Sequence, residues 1–279
     1  AAATGDAALA VGAGTVAQGD STTAVGDRAA ATAADATALG QQTVASGEGS
    51  TATGKSAKAT GKSAVATGEE AEATADGAVA IGGGAEASAT NAQAVGTGAK
   101  ATGVSSVASG AGANAAGANA TAIGTGSQAT FNNATAVGYG AQANAINSVA
   151  VGAGSIASEA NTYSVGSLNN ERRITNVAPG INDTDAVNMS QFRWLDRKVE
   201  YLHDEAIAGI AISNAMATVL PRESKRFAVR VGGGFYGGQE AVGVTAAGRL
   251  NNNFTLDAGF GASTSQSEYG GKVGVTYEW

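Results

Sequence analysis

Few side chains in this 279-residue sequence are of the kind that make and break bonds. It has one histidine, His203, and no cysteine. Acid–base or nucleophilic catalysis needs an imidazole oriented by a partner and facing a nucleophile in a cleft. His203 instead sits beside Leu202 in a heptad run, a flank position that offers neither. Gly-x-Gly pairs such as Gly124-Thr125-Gly126 recur at a fixed period, so they are turns rather than phosphate loops. Asn119-Ala120-Thr121 and Asn133-Ala134-Thr135 match a glycosylation acceptor, but both occupy the same repeating column. The remaining candidate is the acidic group Glu69, Glu70, Glu72 and Asp76, with Lys55, Lys58 and Lys62 just before it. A repetitive surface can bind through many weak contacts, yet a solvated polar face is the simpler reading of such a charge run. These residues predict no enzyme, no cofactor and no metal site. The formal charge is −7 with no basic stripe, which argues against a nucleic-acid partner.

What positions these residues is a phrase that recurs without a slip. Ala-Val-Gly at Ala10–Gly12 returns every 14 residues, with glycines at 12, 26, 40, 54, 68, 82, 96, 110, 124, 138, 152 and 166. Alanine stands two residues before eleven of these glycines, and Ser164 stands before the last. Five residues after each of the first eleven glycines sits another alanine, from Ala17 to Ala157. The unit is too short for a helix pair or a propeller blade. The residue before glycine is often β-branched or Leu (Val11, Val25, Leu39, Ile81, Val95, Ile123, Val137, Val151, Val165), and Val65, Val79, Val107 and Val149 lie two residues ahead of that column. Apolar residues two apart describe a short strand with one buried face. The glycine allows a positive-φ turn, Ala-x-Ala reads as a second short strand, and Asn91, Asn119, Asn133, Asn147 and Asn161 supply turn chemistry.

Two strands and two turns per unit make one coil of a narrow parallel solenoid. With coils about 4.8 Å apart, the stack is a rod of roughly 55 to 60 Å. Its inner side chains should be Ala, Val and Ile, so little apolar area is buried per residue. A further buried face, supplied by sister chains, is therefore expected. Thr53, Thr67 and Ser109 replace the apolar residue in three coils, which should be the weakest.

Past Gly166 the composition changes. The stretch 167–191 contains Arg172, Arg173 and Pro179, and reads as an adaptor, with an N-cap signal at Asp183-Thr184-Asp185. From Phe192 the period becomes seven, and Phe192, Leu195, Val199, Leu202, Ala206, Gly209, Ser213 and Met216 form an a/d seam. The seam is bulky first and small later, and no charge occurs between Glu205 and Arg222. That pattern predicts a helix entering an enclosed apolar space and stopped by Pro221. Four alternating segments follow. They place Phe227/Val229/Val231/Phe235, Val242/Val244/Ala246/Leu250, Phe254/Leu256/Ala258/Phe260/Ala262 and Val273/Val275/Tyr277/Trp279 on one face. Turns are expected at Gly237-Gly238, Asn251–Asn253 and Ser263–Ser267.

Segments of about 10 residues with one apolar face match membrane-spanning strands. Four cannot span alone, because an open edge in lipid leaves backbone groups unpaired. Two chains would close eight strands, whose interior is filled by its own side chains. Three chains give twelve strands and room for three thin helices. The sequence therefore predicts a homotrimer, with the small seam at Ala206–Ala217 plugging a shared lumen.

The order of roll, adaptor, coiled coil and four-strand anchor resembles the trimeric autotransporter adhesins, the YadA-like type Vc secretion family of Gram-negative bacteria. The residues carrying the resemblance are the repeats (Ala80–Ala87 reads AIGGGAEA), the phrase ITNVAPGINDTDAVNMSQ at Ile174–Gln191, and the anchor from about Ala206 to Trp279. It implies a mainly β protein in four parts. These are a left-handed parallel β-roll head over 1–166, a neck adaptor over 167–191, a coiled coil continuing into the barrel lumen over 192–217, and a membrane anchor and translocator over 218–279. It further implies a twelve-stranded trimeric outer-membrane barrel that translocates its own passenger. Ala206, Gly209 and Ser213 would line the lumen helix, with Gly209 the lumen glycine, and Trp279 would be the signal read by the barrel-assembly machinery. Implied partners are outer-membrane lipid and host extracellular matrix proteins or cell-surface glycans, met by a head exposed on the cell surface. Self-association in autoaggregation or biofilm, or serum resistance without a dedicated host ligand, is the alternative. About two heptads precede the anchor, so the stalk is short. The chain opens at Ala1 with no signal peptide, as expected if a leader were cleaved or omitted. Two other solenoid functions fail on the residues. An ice-binding face needs a Thr-x-Thr ladder, and only Thr51-Ala52-Thr53 begins one; a β-helix acyltransferase needs hexapeptide repeats and a catalytic His.

Overall fold

A computed structural model describes residues 1–265 and 267–279, in two compact units, Ala1–Arg173 and Ile174–Trp279. In the first unit, two-residue and three-residue strands alternate and build two parallel sheets of twelve strands each. Every partner is 14 residues away: Val65 pairs with Val79, Ala66 with Ala80, and Thr67 with Ile81. Each coil's amides are thus satisfied by the coils on either side, as in Leu9 N to Thr22 O of the next coil at 2.8 Å and Gly26 N to Val11 O of the preceding coil at 2.8 Å.

The core is narrower than the periodicity predicts. Four columns point inward, at four and two residues before the glycine and at three and five after it. Alanine fills most of them, and Ala24, Ala38, Ala52, Ala66 and Ala80 are fully buried. The other inward places hold Ser or Thr, and several of these hydroxyls donate to turn carbonyls: Thr15 to Gly26 (2.7 Å), Thr22 to Gly19 (2.7 Å) and Thr43 to Gly54 (2.6 Å). The expectation of Val and Ile inside the roll is therefore corrected. In Thr23–Val25 and Val79–Ile81 only the central Ala is buried, and the flanking side chains point out. The pleat lets one face only point inward, and its places hold alanine or a small hydroxyl residue, with Val and Ile on the other face. Thr53, Thr67 and Ser109 accordingly lie on the outer face, and their hydroxyls do not weaken the interior of the coils that carry them.

The repeat glycines meet a backbone constraint. Gly68 has φ +134°, and a Cβ there would sit 2.6 Å from the carbonyl carbon of Gly82 in the next coil. The other corners carry left-handed residues, among them Asn91, Asn119, Asn133, Asn147 and Asn161 at φ 56 to 59°. The expected turn chemistry is present there. Beyond the last coil, Arg172 donates to Val165 O (2.6 Å), Ala153 O (2.6 Å) and Ser155 Oγ (2.8 Å). It thereby satisfies groups that a thirteenth coil would otherwise have met.

The second unit is a helix, Met189–Ala215, and a four-stranded antiparallel sheet of Phe227–Tyr236, Gln239–Arg249, Phe254–Ser263 and Tyr269–Tyr277, in that order. The helix is capped by Asn188, not by the Asp183–Asp185 run. Asn188 Oδ1 accepts from Ser190 N (3.1 Å) and Gln191 N (3.2 Å), and Asn188 N donates to Gln191 Oε1 (3.3 Å). Asp185 closes a tighter turn by accepting from the amides of Ile181 and Asn182, each at 2.9 Å. The helix also ends earlier than expected, at Ala215, so Pro221 does not stop it. Met216 leaves the predicted seam and is buried against the sheet. The turns at Gly237-Gly238 and Asn251–Asn253 connect strands as predicted, while the turn at Ser263–Ser267 includes Gln266, which lies outside the described residues. No helix among the described residues is long and apolar enough to cross a membrane, a criterion that does not bear on strands.

Two buried hydroxyls in the roll, Ser50 Oγ and Ser106 Oγ, have no hydrogen-bond partner among the described residues. Alanine already fills that column elsewhere, so Ser50→Ala and Ser106→Ala should each stabilise the protein, by about 1 kcal/mol. Chemical denaturation checks this. Thr43→Ala, which removes a satisfied hydroxyl, should have the opposite sign.

Candidate functional site

The outer face of the roll is a set of ladders, because a fixed 14-residue register stacks like positions 14 apart. On the two-residue-strand sheet the outward column runs Val44, Lys58, Glu72, Glu86, Lys100, Asn114 and Gln128. Neighbouring opposite charges pair: Lys58–Glu72 at 2.7 Å, Lys55–Glu69 at 2.9 Å, Lys62–Glu48 at 3.1 Å and Lys100–Glu86 at 3.4 Å. Of the residues singled out in the sequence, Lys55 and Lys58 pair with Glu69 and Glu72, Lys62 turns instead to Glu48, and Asp76 Oδ1 accepts from the Lys62 amide. Such exposed pairs add little stability each. The hydrogen bond and charge of Glu69 hold the Lys55 ammonium above its ordinary range, and the same contact holds the Glu69 carboxyl below its own. Lys58 is raised likewise by Glu72.

A second ladder was not anticipated as a unit. Asn119 Nδ2 donates to Asn133 Oδ1 (3.2 Å), Asn133 to Asn147 (3.0 Å) and Asn147 to Asn161 (2.9 Å). Both acceptor-like asparagines in the sequence are therefore corner residues tied to their neighbours. The recurrence of Asn at one phase of the repeat was the signal. The three-residue-strand sheet presents an apolar exterior instead, with Val11, Leu39, Ile81, Val95 and Ile123 among its exposed large side chains.

In the second unit the helix lies on one face of the sheet, and glycine makes this possible. A Cβ on Gly234 would overlap the Ala211 carbonyl. One on Gly243 would come within 2.9 Å of Ala215, and ones on Gly261 and Gly270 within 3.1 and 3.2 Å of Ile212. Ile207, Ala208, Ala211, Ile212 and Ala215 are buried there. Ala206, Gly209 and Ser213 fall on the opposite side of the helix, exposed in the single chain, and a Cβ on Gly209 meets nothing within 4 Å. His203 is exposed on the helix. Among the described residues no group of three or more His, Cys, Asp or Glu side chains is placed to hold a metal.

The other face of the sheet is apolar and uncovered: Val229, Val231, Val242, Val244, Val273 and Val275 are all exposed. Aromatic rings gather at its two ends. Phe254, Tyr277 and Trp279 pack at a tilt with centroid distances of 4.9 and 6.5 Å at one end, and Phe260 lies 6.3 Å from Tyr269 towards the other. An apolar band between aromatic girdles is what a lipid-facing strand surface requires. The inward face is polar as well as small. Asp257, 6% exposed, lies 3.3 Å from Lys272 Nζ.

Gly234→Val should prevent the helix from seating, at a cost of about 3 kcal/mol or more, so no heat-resistant oligomer should form in detergent. Gly233→Val on the open face should be tolerated; gel mobility of unheated samples checks both. Acid should weaken the charged ladder. Because the Glu69 carboxyl is depressed when folded, its contribution is present above the ordinary glutamate range and is lost as pH falls through the lowered value. The Asp185 carboxyl, held down by the amides of Asn182 and Ile181, follows the same sign. Glu69→Gln should flatten the acid limb of a pH–stability curve, while leaving the curve near neutrality almost unchanged in high salt.

Comparison with known proteins places these features. Copies of the YadA head domain repeat match residues 3–29, 31–57, 59–85 and, in overlapping copies, 87–165. The coiled stalk of trimeric autotransporter adhesins matches 173–200, and the YadA-like membrane anchor domain matches 219–279. The autotransporter adhesin NhhA of Neisseria meningitidis serogroup B is 29% identical over 115 residues, 38% of this chain and 19% of NhhA. The chain thus spans about a fifth of that relative's length. The crystal structure of the collagen-binding domain of the Yersinia adhesin YadA is 25% identical and covers 70% of this chain and 99% of that domain, with a TM-score of 0.42. At that score the overlay is too loose to position residues. The head repeat alone matches more than half of the sequence, and stalk and anchor follow it in order: the chain belongs to the YadA-like trimeric autotransporter adhesins.

Proposed function

We propose that the protein is a non-enzymatic surface adhesin. Three chains pool their four anchor strands into a twelve-stranded outer-membrane barrel through which the head is exported. The observation that carries this is the anchor sheet: apolar and girdled on one face, glycine-lined and helix-bearing on the other, with both edge strands unpaired. In lipid those edges must pair, and Phe227–Tyr236 of one chain joining Tyr269–Tyr277 of the next closes the ring. Ala206, Gly209 and Ser213 then face the sister helices along the threefold axis, where small residues let three helices fit. The four-part division into head, neck, stalk and anchor follows, and Trp279, on the lipid side beside Tyr277, serves as the assembly signal.

The apolar exterior of the three-residue-strand sheet faces sister heads, which supplies the burial a thin alanine core lacks. The hydrophilic ladders remain outside, displayed on the cell surface for extracellular matrix proteins or cell-surface glycans. Heads binding heads is the competing reading. It draws on the same repetition, since ladders of alternating sign are self-complementary.

Removing residues 1–166 should abolish attachment to matrix-coated surfaces and leave a detergent-stable trimer in the outer membrane. Unchanged attachment would refute the reading. Mixing labelled cells that carry the full chain with cells that carry the truncated one separates the two binding modes, because only self-association clusters the full-length cells without any matrix present.

A further inference from the structure

The helix ends inside the anchor without charges of its own to answer its exposed carbonyls. Its last turn contains no basic residue, although a helix C-terminus carries partial negative charge and unsatisfied carbonyl groups. Cations from the sheet instead hold the chain just beyond the helix end. Arg230, on the first strand, donates to Ala217 O at 3.3 Å. Arg249, on the second, donates to Pro221 O at 3.2 Å. Lys272, on the fourth, donates to Thr218 Oγ1 at 2.7 Å. Three strands thus hold residues 217–221 of the connector between helix and sheet through three cations.

Two of the cations are themselves braced. Lys272 Nζ is 3.3 Å from the almost fully buried Asp257, on the third strand, and Arg249 is 3.5 Å from Glu278. Asp257 in turn occupies space that only glycine leaves free, since a Cβ on Gly274 would come within 2.5 Å of its Oδ1.

We infer that Arg230, Arg249 and Lys272 form a cationic seat that locks the end of the helix in the lumen and keeps the barrel shut. During export the lumen must contain passing chain, and the connector cannot yet be in this position. The three bonds therefore belong to the finished state, in which they turn a threaded helix into a plug. The inference rests on the barrel reading above. A sheet that merely carried a helix on its surface would gain nothing by charging the one end that must stop moving.

The test uses the full chain, purified as trimer and inserted in planar lipid bilayers bathed in potassium chloride, with conductance as the readout. Wild type should be closed for most of the record. Arg230→Gln with Lys272→Gln should raise open-state occupancy by at least about tenfold, the change expected when charge-assisted hydrogen bonds are lost. Lys198→Gln, on the helix outside the seat, should match wild type. An assembled double variant that stays as closed as wild type overturns the seat. Should the double variant not assemble, Arg230→Gln alone and Lys272→Gln alone decide: raised occupancy in either supports the seat, and wild-type records from assembled trimers of both overturn it. A wild-type chain that yields no trimer and does not insert would count against the barrel reading instead, so the two failures are distinguishable.

Discussion

Lipid offers no hydrogen-bonding partner to the edge of a sheet, and much of the anchor's design answers that constraint. Four strands leave two edges, so the sheet must be completed by copies of itself. Completion creates a lumen, and a lumen in a membrane must be filled. On the barrel reading proposed above, the chain's own helix fills it, which accounts for the glycines where the helix lies on the strands and for the Ala-rich, uncharged end of that helix. Lipid-facing Val and aromatic residues, inward Gly, and small helix residues are three expressions of one demand on the backbone.

The roll solves the opposite problem. In water its backbone is satisfied coil by coil, and what it lacks is hydrophobic mass. Alanine columns bury a methyl group per position, which is modest stabilisation against the entropy of ordering a chain rich in glycine. The deficit is met by two devices. Turn corners are fixed by residues that accept left-handed backbone, and the β-branched residues that would normally fill a core are turned outward, where on the trimeric reading proposed above neighbouring chains cover them. The outward valines look wasteful in one chain and become sensible only in three.

Much of this was legible in the sequence. A 14-residue period of twelve copies could specify only a short-coiled solenoid, and the alternation in the last four segments gave the correct face of every anchor strand. What remained hidden had physical causes. Alternation alone does not say which face of Thr23–Val25 is inside; the packing of one sheet on the other decides, and that is a tertiary property. The helix start at Asn188 rather than Asp185 turned on Gln191, whose side chain both completes the cap and bridges Gly180 N (2.9 Å) and O (3.0 Å). Met216 fitted the heptad arithmetic but was drawn to the sheet by the room above Gly261. The grip of Arg230, Arg249 and Lys272 on the connector joins residues far apart in sequence, and no local pattern announces it.

The strict register of the roll has a consequence for how such a protein can change in length. Because every coil offers its successor the same alanine columns and the same corner geometry, a duplication or loss of one whole unit rejoins like to like, and no side chain is left facing the wrong way. Any other size of insertion within a strand reverses the faces or breaks the ladder. The tract coding for the head is thus a counter that advances in single steps of one coil, and descendants of this chain can differ in reach while sharing every contact that defines a coil.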